Sequence, residues 1–185
     1  MSLDKTIDEM SLHPANTVRS ADLPIIVLTR FALRFAGNPS PSGEWLAERI
    51  ELLRRYTLPS LKAQTDKRFI WWLLVDSDVP EGEVRKIQRV VKDVGFVRPM
   101  RADESGSYTR EIRNAIRQIA DEAITLRLDS DDVISPQLIH RLRQVDWRTK
   151  SIASFPVGLV GDVRNGEASL RIYVSNPFLA FRGSA

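Results

Sequence analysis

Residues 69–78 read Phe-Ile-Trp-Trp-Leu-Leu-Val-Asp-Ser-Asp, an unbroken apolar run that ends abruptly in two aspartates. An apolar run of this length, bounded by polar residues, is typical of a strand that is covered on both faces of a sheet. A similar run, rich in β-branched residues, lies upstream at residues 24–29. Two such strands predict an α/β protein with a mostly parallel sheet.

Segments with helical spacing lie between the apolar runs. One covers about residues 44–56, and Pro59 is expected to break or restart it. Another begins at Glu81 and is closed by Gly95, which is expected to act as a C-terminal stop. A third, at residues 110–119, carries arginines on its outer face, so an amphipathic helix is predicted there.

Two further strands are predicted at residues 96–100 and 123–128. Ser135 and Pro136 are expected to begin another helix, as its cap and its first-turn residue. Strands and helices therefore alternate along the chain, which predicts a doubly wound, mostly parallel sheet.

The pattern changes after that helix. Residues 151–157 predict a strand, and residues 159–163 and 168–174, joined through Asn165-Gly166, predict a β-hairpin near the C-terminus. Residues 1–23 are polar and are expected to form an N-terminal arm. Residues 24–185 are expected to form a single domain, because a chain of this length supports one core well and two cores poorly.

Composition narrows the possible chemistry. The absence of cysteine excludes disulfides, thiolate metal sites and a thiol nucleophile. Only His13 and His140 are present, too few for a histidine-rich zinc site. The net charge of +3 comes from scattered basic residues, so no nucleic-acid partner is expected. No segment has the length or apolarity of a transmembrane helix or signal peptide, which predicts a cytoplasmic location.

Two acidic clusters follow predicted strands. Asp76 and Asp78 follow one strand, and Asp129, Asp131 and Asp132 follow another. In an open α/β sheet, ligands bind in the crevice at the carboxyl ends of the strands, so these carboxylates could share one cleft. Carboxylates spaced as D-x-D suit Mg²⁺ or Mn²⁺ with a diphosphate ligand. The alternative is that the acids are only turn and cap residues.

Other conspicuous side chains are less specific. Arg113 could meet phosphates in the same crevice, or it could belong to a solvated helix face. Trp71 and Trp72 are expected to fill the core, and His140 is assigned no role. Residues 29–36 contain no glycine, and no phosphate-binding G-x-x-x-x-G-K-[ST] run exists, so dehydrogenases and ATPases are poor candidates.

Four segments together resemble a known family. Residues 58–65 are similar to its helix ending in "SLxxQT", Val75-Asp76-Ser77 to its nucleotide-binding aspartate, Arg113-Asn114-Ala115 to its "ARN" segment, and residues 127–132 to its "LDSDD" metal motif. They occur in the family's order. The chain resembles the inverting family 2 glycosyltransferases with the GT-A fold, and most closely their rhamnosyltransferase branch.

The resemblance implies a nucleoside-diphosphate sugar donor, linked to UDP, dTDP or GDP, and a saccharide acceptor. It also implies that Asp129 and Asp131 bind a divalent cation, Mn²⁺ or Mg²⁺. Asp76 would contact the base and Arg113 the nucleotide. The candidate substrate-binding residues are Thr29, Arg30, Asp76, Arg113 and Asp129, and the resemblance implies the roles of the last three.

The resulting hypothesis is metal-dependent, inverting transfer of a hexose, with rhamnose as the named candidate, in surface-polysaccharide assembly. The general base is not identified, since only Asp162 and Glu167 are available in the hairpin region. With the chain ending at Ala185, a truncated catalytic domain and a module that binds a nucleotide sugar without transferring it both stay open. A two-metal phosphoryl- or nucleotidyl-transfer enzyme is a third possibility.

Overall fold

The computed structural model describes residues 23–34, 43–103, 106–149, 151–162, 164–173 and 179–184. The predicted arm, except for Leu23, lies outside the described residues. The strands are β1 (Ile25–Ala32), β2 (Ile70–Asp76), β3 (Phe96–Met100), β4 (Glu122–Arg127), β5 (Ile152–Ser154), β6 (Val157–Gly161), β7 (Ala168–Ile172) and β8 (Leu179–Ser184). The helices are α1 (Gly43–Leu52), α2 (Leu58–Lys62), α3 (Glu81–Val91), α4 (Thr109–Arg117) and α5 (Leu138–Gln144).

Six of the strands form one sheet in the order β3-β2-β1-β4-β8-β5. The strands β1 to β4 are mutually parallel, β8 runs antiparallel to β4, and β5 runs antiparallel to β8. The prediction of an α/β protein with a mostly parallel sheet is confirmed. The strand β8 was not predicted, because its short apolar run, Leu179-Ala180-Phe181, carries little periodicity of its own.

Helices cover both faces of the sheet. On one face, Val27 and Leu73 share a core with buried residues of α1, α2, α3 and α5. On the other face, Ile26 and Leu74 pack with Ile116 of α4. Covering on both faces explains why the central strands are apolar almost throughout. Trp71 and Trp72 are both buried in the core, as expected.

The first helical segment continues through Pro59 instead of ending there. A π-helical turn, Leu53–Thr57, joins α1 to α2, and Leu58 N–H donates to the Leu53 carbonyl. This wider turn lies directly before the proline, whose ring crowds the preceding turn of a regular helix. The prediction that Pro59 interrupts the regular helix is thus correct, but the backbone stays helical on both sides of it.

The last helix begins later than predicted. α5 starts at Leu138, although Ser135 Oγ still accepts a hydrogen bond from Gln137 N at 3.4 Å. The carbonyl oxygens of Ser135 and Pro136 bind Gln64 Nε2 and Thr65 N, each at 2.8 Å. These carbonyl groups therefore stabilise the contact with the α2–β2 loop.

The predicted hairpin is present. β6 and β7 pair antiparallel in a separate two-stranded sheet, and Gly166 in their connection has φ +74°. A positive φ is readily adopted by glycine, which explains the Asn165-Gly166 turn signal. Within the described part of the chain, no helix has the length and apolarity needed to cross a membrane.

Candidate functional site

The two acidic clusters lie at the carboxyl ends of β2 and β4, on either side of β1. Asp76 is the last residue of β2, and Asp129 lies two residues beyond the end of β4. Neighbouring strands are about 4.8 Å apart, so the strands that carry the clusters are separated by about 10 Å. A bulge between Arg30 and Ala32 bends β1 at this same edge. We call the carboxyl ends of β1 to β4 the carboxyl edge.

Asp76 is a buried carboxylate held by residues of three segments. Tyr108, directly before α4, donates its hydroxyl to Asp76 Oδ2 at 2.5 Å, and the same hydroxyl lies 3.0 Å from the Arg34 carbonyl oxygen. The backbone N–H of Asp78 donates to Asp76 Oδ1 at 3.0 Å. Asp78 is itself exposed and lies 3.6 Å from the Arg34 guanidinium. Asp76 therefore lies where Arg34, Asp78 and Tyr108 meet.

The environment keeps Asp76 ionised. Burial alone would raise its pKa, but the hydrogen bonds from Tyr108 and Asp78 and the nearby Arg34 lower it overall. Burial and the bond to Asp76 raise the pKa of Tyr108 to about 12. At neutral pH the phenol is consequently a donor and the carboxylate an acceptor.

The second cluster is paired with arginines. Arg127 Nη2 lies 3.0 Å from Asp129 Oδ2. Arg49 of α1 reaches across from the other side of the turn, with Nη1 3.0 Å from Asp131 Oδ2 and Nη2 2.5 Å from Ser130 Oγ. Ser130 is buried, so this turn is part of the packed structure and not a freely solvated loop.

Asp132 differs from its neighbours. Burial, followed by repulsion from Asp131 and Asp129, raises the pKa of Asp132 to about 6. With a pKa of about 6, Asp132 is mostly ionised at neutral pH, and its charge adds to those of Asp129 and Asp131, which are paired with Arg127 and Arg49. The cluster therefore keeps a small local excess of negative charge at neutral pH.

Gln64, in the segment that resembles "SLxxQT", binds the chain that follows residues 129–132, which we call the acidic turn. Its side chain is buried; Nε2 donates to the carbonyls of Ser60 (3.0 Å) and Ser135 (2.8 Å), and Oε1 accepts from Ile139 N (3.1 Å). The motif therefore has a structural role in positioning the acidic turn. Spacing alone did not reveal this role, because both partner carbonyls and the N–H belong to backbone.

The other residues assigned to substrate binding occupy different environments. Thr29 is fully buried and its hydroxyl accepts from Trp71 Nε1 at 3.0 Å, so its side chain contacts the core in this structure. Thr29 lies inside because its side chain points to the face that α1 covers. Arg30 and Arg113 are exposed, on β1 and α4 respectively.

A polar pocket of about 320 Å³ adjoins Tyr108 at the carboxyl edge, between the end of β3 and the start of α4. Its lining includes Arg101, Arg110 and Asn114, together with Asp103 and Glu111. Asp103 and Glu111 accept hydrogen bonds from the backbone N–H groups of Ser107 and Arg101. Sequence reasoning missed this pocket, since it depends on how α4 packs beside β3.

The described residues provide carboxylate oxygens for a cation but no complete set of protein ligands. Among the described residues, no three acidic or histidine side chains come together in a group that could hold a metal ion. Mg²⁺-type sites commonly use one or two carboxylates, with phosphate oxygens and water completing the shell. Asp129 and Asp131 are carboxylates of the kind that such a site uses, and each is paired with an arginine in this structure.

Neither hairpin acid is arranged as a general base. Asp162 is bound by the guanidinium and the backbone N–H of Arg164, and the same contacts lower its pKa. Glu167 accepts a hydrogen bond from Asn165 within the hairpin turn. Both acids stabilise the turn, so the general base stays unassigned.

Comparison with known proteins assigns the chain to a family. No curated protein matches the chain. A family model described as putative rhamnosyl transferase matches residues 41–181, a stretch that contains α1, both acidic clusters, α4 and the hairpin. Because this match covers most of the 185 residues, the chain belongs to the putative rhamnosyl transferase family.

Proposed function

We propose that the chain is a metal-dependent glycosyltransferase of the GT-A type, which transfers a hexose such as rhamnose from a nucleoside-diphosphate sugar to a saccharide acceptor. Membership of the rhamnosyl transferase family supports sugar transfer. The observation that carries the donor assignment is the placement of Asp76 and the Asp129–Asp131 pair on either side of β1. This spacing suits one extended ligand, with its base near Asp76 and its diphosphate near the acidic turn.

The side chains at the carboxyl edge have distinct tasks in this proposal. Asp76, kept ionised by Tyr108, accepts hydrogen bonds from the base or ribose. Arg127 and Arg49 lie beside the acidic turn and can turn their guanidinium groups to the diphosphate as it departs. A divalent cation held by Asp129 and Asp131 would neutralise part of the charge that develops on the leaving diphosphate.

Transfer with inversion is a single displacement. The acceptor hydroxyl oxygen bonds to the anomeric carbon while the bond from that carbon to the diphosphate oxygen breaks. The electron pair of the broken bond goes to the diphosphate, and the hydroxyl proton goes to a base or to water. The chain's own contribution is to orient the donor and to stabilise the leaving group.

The same spacing argues against a two-metal phosphoryl-transfer enzyme. Two cations that act on one phosphate are about 4 Å apart. The strands carrying the two acidic clusters are separated by about 10 Å, and β1 lies between them. One diphosphate-bound cation at the second cluster is the simpler arrangement.

Calorimetric titration of UDP, dTDP and GDP, with and without Mn²⁺, tests the donor site. We expect one nucleotide to bind in a Mn²⁺-dependent manner, and Asp131→Ala to remove that dependence. Asp93→Ala, at an exposed position before β3, is the matched control and should bind as the unmodified protein does. If the folded protein binds none of the three nucleotides, the proposal is wrong. Transfer of a sugar from the corresponding nucleoside-diphosphate sugar to an added saccharide then distinguishes a transferase from a module that only binds the donor.

A further inference from the structure

A second polar site lies away from the carboxyl edge. An open groove of about 860 Å³ runs between residues 65–68, which directly precede β2, and the exposed face of α5. Residues 65–68 lie just before the amino end of β2, whereas the proposed donor site lies at its carboxyl end. We call this site the basic groove.

Positive charge dominates the basic groove. Lys67, Arg68 and Arg141 line it, and Asp66 is the one carboxylate among the described residues of its lining. The Lys67 ammonium donates to the Lys62 carbonyl, and Arg141 Nη2 lies 3.3 Å from Gln137 Oε1. Because these oxygens are uncharged, neither contact cancels the charge of its cation. The groove therefore attracts anions.

Asp66 does not oppose this attraction, because arginines already neutralise it. The Arg68 guanidinium binds both of its carboxylate oxygens, at 3.0 and 2.6 Å, and Arg143 Nε lies 3.2 Å from Oδ2. The hydrogen bond from Arg68 is the main reason that the pKa of Asp66 lies far below its usual value. Asp66 is thus a buried carboxylate that binds the guanidinium groups of Arg68 and Arg143.

The two walls of the groove are fixed relative to each other. Thr65 N donates to the Pro136 carbonyl at 2.8 Å, and Gln64 bridges to Ser135 and Ile139. The wall formed by α5 consists of Gln137, His140, Arg141 and Gln144, which share one helix face at helical spacing. A groove with fixed walls loses little conformational entropy when a ligand binds.

The amide and hydroxyl groups of the lining indicate which class of anion the groove would bind. Besides the charged groups, the described lining offers the amides of Gln137 and Gln144, the hydroxyl of Thr65 and the ring of His140. It contains no aliphatic anchor of the kind that enters a lipid surface, and no Phe, Tyr or Trp on which nucleobases stack. Amide and hydroxyl groups pair well with sugar hydroxyls, while the cations pair with carboxylates.

We propose that the basic groove binds an acidic saccharide at a distance from the reacting centre. The inference rests on the proposed function only in that the natural ligand would be the acceptor glycan. Its uronate or other oxyanion groups would contact Lys67 and Arg141, and its hydroxyl groups would contact the glutamine amides. The groove would then retain a growing anionic chain while its end reaches the carboxyl edge.

Titration of a fluorescent oligogalacturonate, followed by anisotropy, tests this site. We expect salt-sensitive binding that weakens about tenfold or more in the Lys67→Gln/Arg141→Gln variant, since two charge-assisted contacts are lost. A neutral malto-oligosaccharide of equal length should bind at least about tenfold more weakly than the uronate. Arg85→Gln is the matched control, because Arg85 is an exposed cation of α3 outside the groove, and its binding should be unchanged.

Several outcomes would overturn the inference. The inference is wrong if the double variant binds the uronate as tightly as the unmodified protein does. It is also wrong if the unmodified protein binds the neutral sugar as tightly as the uronate. Tighter binding to anionic lipid vesicles or single-stranded DNA that is lost in the same variant would assign the groove to a membrane or a nucleic acid instead. Nucleotide titration of the double variant separates the two sites, because its nucleotide affinity should match that of the unmodified protein. Loss of saccharide binding and loss of nucleotide binding can therefore be observed independently.

Discussion

Arg49 Nη1 lies 3.0 Å from Asp131 Oδ2, although 82 residues separate the two in the chain. The pair joins α1 to the turn after β4, and the second guanidinium nitrogen binds Ser130 of the same turn. Arg49 therefore supplies a positive charge at the position where the family resemblance places a cation. A cation that binds Asp131 must compete with this guanidinium.

This competition gives the first prediction. Arg49→Gln should raise the affinity of the protein for Mn²⁺ by about two- to fivefold, the range expected for one partly exposed ion pair. The measurement is Mn²⁺ titration by calorimetry or electron paramagnetic resonance, in the presence of the nucleotide that the protein binds. Arg54→Gln, whose partner Glu51 lies in the same helical segment, is the control and should leave the affinity unchanged. Weaker Mn²⁺ binding by Arg49→Gln would show that the guanidinium supports the cation site instead of competing with it.

The Tyr108 hydroxyl gives the second prediction. Tyr108→Phe removes a donor from the buried Asp76 carboxylate, which should cost about 1–3 kcal/mol in the free energy of unfolding. It should also raise the pKa of Asp76, because this hydrogen bond favours the ionised form. Urea unfolding gives the stability, and carbon-detected NMR titration gives the pKa. Tyr173→Phe, at an exposed tyrosine, should alter neither value, and an unchanged Asp76 pKa in Tyr108→Phe would contradict the assignment.

Gly95 gives the third prediction. An added Cβ would lie 2.6 Å from Trp71 Cε3, closer than van der Waals contact permits. Since Trp71 is fully buried and cannot move freely, Gly95→Ala should lower the free energy of unfolding by about 1–3 kcal/mol.

Gly82 provides the matched control within α3, because a Cβ there meets no atom within 4 Å. Gly82→Ala should stabilise the protein by about 0.5–1 kcal/mol, through helix propensity and the unfolded state. Thermal or urea unfolding of both variants decides the matter. The predicted helix stop at Gly95 is wrong, because α3 ends at Val91 and Gly95 has no positive φ. A Gly95→Ala protein as stable as Gly82→Ala would contradict the clash with Trp71.

Asp66 gives the fourth prediction. Asp66→Asn leaves Arg143, whose side chain is 10% exposed, without its carboxylate and should cost about 3 kcal/mol at neutral pH. The folded-state pKa of Asp66 is lowered, so its contribution is present above the unfolded pKa of about 4 and is lost as pH falls below it. The free energy of unfolding of the variant should accordingly decline less between pH 5 and pH 2 than that of the unmodified protein. The difference should develop over about two pH units, the range over which such a group titrates.

Unfolding free energies measured across this pH range check the prediction. Asp146→Asn, which removes the exposed pair with Arg148, is the control and should produce a smaller loss of stability. A variant with the same acid sensitivity as the unmodified protein would show that the Asp66 pair does not contribute to acid unfolding.

Much of the sheet was predictable from local pattern. The apolar runs at β1 and β2 indicated buried strands, β3 was predicted with its observed bounds, and the Asn165-Gly166 turn indicated the hairpin. The acidic residues were also predicted at the carboxyl ends of their strands. The apolar runs and the turn depend on sequence neighbours alone, because strand burial and turn conformation are encoded over a few residues. The parallel pairing was predicted from the alternation of strands and helices along the chain.

The sequence by itself thus determined the mostly parallel α/β sheet, the edge at which its acidic residues gather and the order of motifs that marks the family. Only the tertiary structure decided the partners: Arg49 for Asp131, Tyr108 for Asp76, and Trp71 for the buried Thr29 hydroxyl. It also placed β8 between β4 and β5. The physical reason is that each such contact depends on strand register and on the rotation of a packed helix, which arise from the whole core and not from any local pattern.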